Sequence, residues 1–313
     1  MSKIKIGIIG AGYISEKHLE VLCSIKKISI ISIYSRTESK SIKLAKKFKI
    51  DKVHSNIDNF ISNSKLDGIL ILVSADQIFK IVKKLLPYKI PLFIEKPAGL
   101  NPKETKQLIE INNNFKTKTM IGLNRRFYSI FKEGLKAIYK EGPLLGVGIE
   151  GHERFWKSST GLSNNEKKNW IFSNSIHTID LLRFFGGEIK RMNSFKKNIF
   201  EKNGDQFTAI FEFKSGTIGT YVSHWYSPGG WSVVLYGSGV TVIFKPLEEG
   251  IIINKQFKSK KINPIKQDKI YKSGFYNQLL CFIDLIINKK LKFPGQSLEN
   301  YYKTSLIAKS LIK

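Results

Sequence analysis

The sequence predicts an α/β protein. A doubly wound parallel sheet fills the first half, and an α+β domain with a large, mainly antiparallel open sheet fills the second. Three observations carry this. Up to about residue 123, short apolar runs alternate with helix-length segments, the pattern of βα units that build a parallel sheet. Beyond it, strand-like runs follow one another across turn residues without helices between them. The length, 313 residues, suits two domains at roughly 100–200 residues each.

Taken in order, Ile4–Ile9 reads as a strand, followed by a glycine turn and a helix to about Ile25. Ile28–Tyr34 is a second strand, and residues 37–48 form a lysine-rich helix with Ile42, Leu44, Ala45 and Phe48 on its inner side. Residues 68–73 are continuously apolar, as expected of a strand covered on both faces. Residues 77–86 are helical and stop before Pro87, and residues 92–94 are the next strand. Asn101-Pro102-Lys103-Glu104 combines an N-cap asparagine, proline at the first helical position and a glutamate closing a capping box. That helix runs to about Ile111, and residues 119–123 form a further strand. In the second half, residues 175–185 are a helix ended by Gly186-Gly187. Strands follow at 207–213, 217–225, 232–236, 240–244 and 251–254. Helices near 275–287 and 298–312 end the chain. The expected domains are residues 1–123 and 124–296, with the last helix, about 297–313, packing back on the first.

Composition excludes several classes. With 42% hydrophobic and 25% charged residues the chain is neither disordered, collagenous nor a disulfide scaffold. Its longest purely apolar run, residues 69–73, is far short of the ~20 residues a spanning helix needs. The glycine-rich N-terminus does not fit a signal peptide. Cys23 and Cys281 form no metal spacing and no disulfide framework. The expectation is a soluble cytoplasmic protein without metal. The net charge of +27 invites a nucleic-acid reading. Only six of the 52 basic residues are arginine, however, and base readers favour its bidentate fork. The lysines are spread along the chain, with the densest stretch, residues 254–272, read as a loop or ragged hairpin.

The first chemical motif is Gly10-Ala11-Gly12-Tyr13-Ile14-Ser15, between the first strand and the first helix. There the first glycine allows a tight turn, the second lets a pyrophosphate approach the backbone, and the helix N-terminus supplies N–H groups. Ser15 replaces the third glycine, which loosens helix–strand packing slightly. Gly10, Gly12, Tyr13 and Ile14 are the expected pyrophosphate site of a Rossmann domain. The end of the second strand selects the cofactor. An NAD site offers a carboxylate there for the ribose 2′-hydroxyl; this chain has Tyr34-Ser35-Arg36-Thr37. Hydroxyls and a guanidinium suit a 2′-phosphate, so NADP(H) is favoured, with NAD(H) as the alternative. Ser74, after the 68–73 strand, is a further expected cofactor contact.

Two more strand ends reach the same sheet edge, where ligands of doubly wound sheets bind. They carry Glu95-Lys96-Pro97 and Asn124-Arg125-Arg126. The 175–185 helix carries His177 and Asp180 one turn apart on one face. By themselves these residues are open to structural readings: solvent-facing lysine, core histidine, ion-paired arginines.

Together they resemble the Gfo/Idh/MocA family of oxidoreductases, which includes glucose–fructose oxidoreductase and inositol dehydrogenase. The resemblance rests on GIIGAGYIS at the start, EKP near residue 96, GLNRRF at 122–127 and HTID at 177–180. It implies hydride transfer between a nicotinamide cofactor and a sugar, sugar nucleotide or cyclitol. In such proteins the EKP lysine hydrogen-bonds the reacting oxygen and the HxxD histidine exchanges its proton, and Lys96 and His177 occupy those positions. Asp180 would orient that helix face or the substrate. The resemblance also implies cofactor contacts from Glu95, Lys96 and Asn124, a Lys96–Pro97 bond that is often cis, and homodimers or homotetramers formed through the C-terminal sheet. Arg125, Arg126, Arg154, Trp170 and Ser173 join Lys96 and His177 as expected substrate contacts. Trp156 and Trp170 flank a polar segment that either covers substrate or, the favoured reading, leaves both indoles packed in the domain core, and Tyr221, Trp225, Tyr226 and Trp231 are assigned to core and interface.

Two positions depart from the family pattern. Ser173 stands where many members carry aspartate, and Ser74-Ala75-Asp76-Gln77 replaces the usual Thr-Pro loop, with Phe79 near its histidine position. The alternative is a noncatalytic descendant of the fold, either a nucleotide-binding sensor or a polyanion-docking protein.

Overall fold

The computed structural model describes residues 3–62, 65–152 and 163–313. Contacts divide the chain into two compact units, Met1–Asn124 with Ile270–Tyr302, and Arg125–Lys269 with Lys303–Lys313. The helix at 275–287, drawn into the second domain by the sequence pattern, thus counts with the first unit. The last helix is shared between the two at residue 302/303.

In the first unit, β1 (Ile4–Ile9), α1 (Tyr13–Ser24), β2 (Ile28–Tyr34), α2 (Glu38–Phe48), β3 (Lys52–His54) and α3 (Ile57–Ser62) form one half. β4 (Gly68–Ile71), α4 (Ala75–Leu85), β5 (Leu92–Glu95), α5 (Pro102–Phe115) and β6 (Thr119–Gly122) form the other. The sheet order is β3-β2-β1-β4-β5-β6, with every pair parallel. β4 and β5 are buried at every position, which explains their unbroken apolar sequences. The strand order reverses between β1 and β4, and such a switch point opens a crevice beyond the carboxyl ends of those two strands.

The second unit contains α6 (Ser129–Glu141), β7 (Leu144–Gly151), α7 (Asn164–Lys168), α8 (Ile176–Gly186), β8 (Ile189–Lys197), β9 (Gln206–Phe213), β10 (Ile218–His224), β11 (Trp231–Gly237), β12 (Val240–Phe244), β13 (Gly250–Asn254), β14 (Ser259–Ile262) and α9 (Lys266–Ile270). α10 (Phe275–Asn288) and α11 (Leu298–Leu311) close the chain. The eight-stranded sheet runs β14-β13-β12-β11-β7-β10-β9-β8. Its pairs are antiparallel except β7 with β10, which run parallel. In β9 the alternation is clean: Phe207, Ala209, Phe211 and Phe213 are buried while Thr208 and Ile210 face out. α6 and α8 cover the buried face. The opposite face carries Ile210, Ile218, Tyr236 and Ile251, all exposed. Among the described residues no helix is long and apolar enough to cross a membrane.

Candidate functional site

Gly10 turns the chain after β1 with φ 113°. A Cβ there would lie 2.2 Å from the Leu72 carbonyl oxygen, so the turn requires glycine. Gly12 is the opposite case, because a Cβ on it would meet nothing within 4 Å. Its missing side chain leaves open space at the N-terminus of α1, where N–H groups and the helix dipole favour an anion. Ser15 is fully buried, and its hydroxyl donates to the Leu72 carbonyl at 3.3 Å. The third glycine's close contact is thus replaced by a hydrogen bond tying α1 to the end of β4.

A cleft of about 200 Å³ opens here, lined by Gly10, Gly12, Ser35, Arg36 and Ser74. Five expected cofactor residues therefore share one wall system. The Thr37 N–H donates to Ser35 Oγ at 3.2 Å, and the Lys40 N–H to the Thr37 carbonyl at 3.1 Å. This turn leads from β2 into α2, and both Arg36 and Lys40 line the cleft. Sequence reasoning missed Lys40. The available signal was its place in the first turn of α2, from which side chains slope back toward the helix start. Asp76 opens α4 nearby with its carboxyl below the ordinary range. Burial opposes this shift, but hydrogen bonds from Ser74 and Gln77 and the Arg36 charge outweigh it. Tyr13 and Ile14 do not line the cleft. Tyr13 is exposed on α1, with the Lys17 and Lys272 ammonium groups 5.6 and 6.0 Å from its ring centre.

The cleft suits the adenosine and pyrophosphate part of a dinucleotide: an open glycine position over a helix N-terminus for the pyrophosphate, and a hydroxyl-and-cation turn at the end of β2. Glu95, Lys96 and Asn124 lie outside its lining, Glu95 as the last residue of β5 and the other two just beyond the carboxyl ends of β5 and β6. Glu95 is buried, with Oε1 3.1 Å from His18 Nε2 and Oε2 accepting the Lys96 N–H at 3.0 Å. Lys96 is half-buried, and its bond to Pro97 is cis. The Asn124 side-chain amide donates to the Ser273 carbonyl at 3.0 Å.

In the second unit the chain enters α8 through one π-helical turn, Ile171–Ser175, a deviation frequent at functional sites. Trp170 precedes this turn, Ser173 lies in it and His177 follows it in the first turn of α8, all three buried. The His177 and Trp231 ring centres are 6.1 Å apart, and the Arg125 guanidinium sits 4.3 Å over the same indole. A pocket of about 320 Å³ is lined by Arg125, His152, Trp231 and Glu248 among others. Trp231, assigned from sequence to core and interface, is thus a pocket wall. His152 was missed, being one histidine with no motif around it. Burial holds its imidazole below the ordinary range, although Glu150 pulls the other way. Tyr128 donates to Glu248 at 2.9 Å, and burial pushes its phenol up.

Arg126 and Asp180 are spent on each other. The Arg126 Nε and Nη2 reach the two Asp180 oxygens at 2.5 and 3.0 Å, and the Thr304 hydroxyl adds a contact at 3.1 Å. Arg126 is 7% and Asp180 1% exposed. Asp180 therefore anchors the helix that carries His177, and Arg126 commits Nε and Nη2 to that carboxylate. Arg154 and Trp156 lie outside the described residues. Among the described residues no group of three or more histidine, cysteine or acidic side chains is placed to hold a metal.

Comparison with known proteins agrees with this architecture. Residues 4–123 match the model of an oxidoreductase family with an NAD-binding Rossmann fold, and residues 152–243 match the GFO/IDH/MocA C-terminal domain. A myo-inositol 2-dehydrogenase of Thermotoga maritima is 25% identical over 224 residues, 69% of this chain and 67% of that protein. The match to a Saccharomyces cerevisiae relative spans 61% of that protein's length. A dehydrogenase from Chromobacterium violaceum superposes with TM-score 0.86 at 18% identity, covering 99% of this chain and 94% of the other. An Agrobacterium radiobacter oxidoreductase, solved with NAD+, L-tartaric acid and magnesium, gives 0.79 at 14% identity, covering 98% and 95%. Both matched family models, in their expected order along one chain, place this protein in the Gfo/Idh/MocA oxidoreductase family, with an NAD-binding Rossmann domain at its N-terminus.

Proposed function

We propose that this protein is an NADP(H)-preferring oxidoreductase that moves a hydride to or from the hydroxyl- or keto-bearing carbon of a sugar, sugar nucleotide or cyclitol. The observation that carries the cofactor reading is the wall after β2. Ser35, Arg36, Thr37 and Lys40 line the dinucleotide cleft there, and no carboxylate does. A 2′-phosphate would gain charge-assisted hydrogen bonds from that wall. A 2′-hydroxyl would lack the acceptor that NAD sites provide.

A nicotinamide bound in this domain supplies the hydride donor or acceptor. The protein's part is proton and charge management. Hydride leaves a carbinol as its hydroxyl proton is removed, and a group with pKa near 7 suits that transfer. His177 takes this role. The Lys96 ammonium hydrogen-bonds the reacting oxygen and steadies its developing charge. Ser173, in place of a carboxylate, offers a hydroxyl without charge. Arg125, His152, Trp231 and Glu248 hold the polar remainder of the substrate in their pocket, with the indole as an apolar floor beside His177. Two or four copies associate through the open face of the eight-stranded sheet.

The test is a titration with NADPH and then NADH at two salt concentrations, followed by nicotinamide fluorescence. NADPH is expected to bind at least tenfold tighter than NADH, and with little dependence on salt. Arg36→Ala should remove most of that difference by weakening NADPH alone. Parent protein that prefers NADH loses the cofactor reading but keeps the oxidoreductase one. Failure to bind either nucleotide sinks both and favours a noncatalytic descendant. Strong salt dependence would instead point to polyanion docking, where released counterions dominate.

A further inference from the structure

α1 carries a histidine that packing alone does not explain. His18 is fully buried, its ring stacked 4.4 Å from Phe275 and edge-on to Phe93 at 5.2 Å. A phenylalanine or leucine would fill this aromatic slot without a polar atom. Instead His18 Nε2 lies 3.1 Å from Glu95 Oε1, while its buried Nδ1 meets no hydrogen-bonding partner. An imidazole with the proton on Nε2 matches that pattern, since a proton on Nδ1 would leave a buried donor unmet. A buried polar atom left without a partner is destabilising. Local rules broken at such a cost are expected next to functional groups.

The rest of Glu95 says which group. Its Oε2 accepts the backbone N–H of Lys96 at 3.0 Å. On another side, a Cβ on Gly122 would come within 3.0 Å of the carboxylate, so glycine lets β6 close on it. Glu95 is thereby held by an imidazole, a backbone amide and a strand.

We propose that His18 is a positioning residue for Lys96. It fixes Glu95, and Glu95 fixes the Lys96 amide, which sets where the lysine side chain leaves the end of β5. The proposal rests on the reading of Lys96 as the group that meets the reacting oxygen. His18 itself touches neither substrate nor cofactor in this scheme.

The test uses the full chain with His18→Phe, His18→Gln, His18→Asn and Lys96→Ala. NADP+-dependent oxidation is followed on myo-inositol, D-glucose and UDP-glucose, beside NADPH affinity and thermal melting. His18→Phe keeps the ring and removes the donor. It is expected to lower kcat by about 10²-fold, the size of effect that a small misplacement of a reacting group produces, while the NADPH Kd stays within about twofold. His18→Gln, whose amide reaches the place of Nε2, should recover most of kcat. His18→Asn, one methylene shorter, should not. The Gln–Asn pair decides the matter even where His18→Phe fails to fold. Equal kcat in these two, or parent kcat in His18→Phe, overturns the positioning role. A common fall in melting temperature and NADPH affinity with kcat unchanged makes His18 merely structural. Parent turnover in Lys96→Ala, or no turnover of any of the three alcohols by the parent, removes the reading of Lys96 and this proposal with it.

Discussion

Arg126 and Asp180 are the pair through which a single contact redefines two side chains. Read along the sequence, one sits in a run of arginines open to an anion and the other one turn from His177, the histidine proposed to exchange the proton. Folded, they form a bidentate ion pair that water barely reaches. Removing one member of such a pair strands the other charge in the interior, at a cost of about 3–5 kcal/mol. Asp180→Ala is therefore expected to lower the urea midpoint sharply. Arg126→Met on top of Asp180→Ala should restore part of the loss, because it removes the stranded charge; coupling of this sign is what a double-mutant cycle measures. Strictly additive losses would mean that the two groups do not depend on each other. A unit-charge pair at this depth is also a rigid mount: it fixes α8 one turn beyond His177, which ties the stability of the helix to the aim of the imidazole.

Among the elements, α5 follows most directly from local rules. Asn101 caps it, its Oδ1 accepting the Glu104 N–H at 3.0 Å, and Pro102 takes the first helical position. The Glu104 carboxylate reaches back one residue further than a standard capping box, accepting the Leu100 N–H at 2.9 Å. Asn101→Ala should cost about 1 kcal/mol in unfolding free energy, and Asn101→Asp almost nothing; an Ala variant as stable as the parent would mean that Pro102 and packing alone start the helix. Elements of this kind were legible because their signals are local. The first sheet apart from β3, its glycine turn, the β2 wall and the ends of α10 and α11 all follow from periodicity and punctuation. Several of the missed elements carry weak local signals. β3 is three residues long and α3 six, too short for a period to register. β7 reads Leu-Leu-Gly-Val-Gly-Ile-Glu-Gly, where glycines mask the alternation. β8 is exposed along most of its length, so it has no apolar stripe. In the site, His152 and Trp231 come together only through pairing of β11 with β7, a long-range fact that no local pattern contains.

For the whole molecule, two features pull in opposite directions. The open face of the eight-stranded sheet presents apolar side chains in register. Ile210 and Ile251 fall on one cross-strand row, Ile218 and Tyr236 on the next. Ile210 is 57% and Ile218 51% exposed, and apolar side chains gathered on one open face favour association there. Against it stands a net charge of +27 on each copy, which repels a second copy at long range. Salt screens that repulsion, with a Debye length of about 10 Å at 0.1 M, and leaves apolar burial in place. Self-association through the sheet is therefore expected to strengthen as salt rises, read as molar mass by light scattering at low and moderate ionic strength. Ile210→Lys with Ile218→Lys should give monomers at both, with NADPH binding unchanged because the cleft belongs to the other compact unit. Association that instead weakens with salt, or survives both lysines, would place the contact on a charged surface elsewhere. The open sheet face would then need another explanation for its isoleucines.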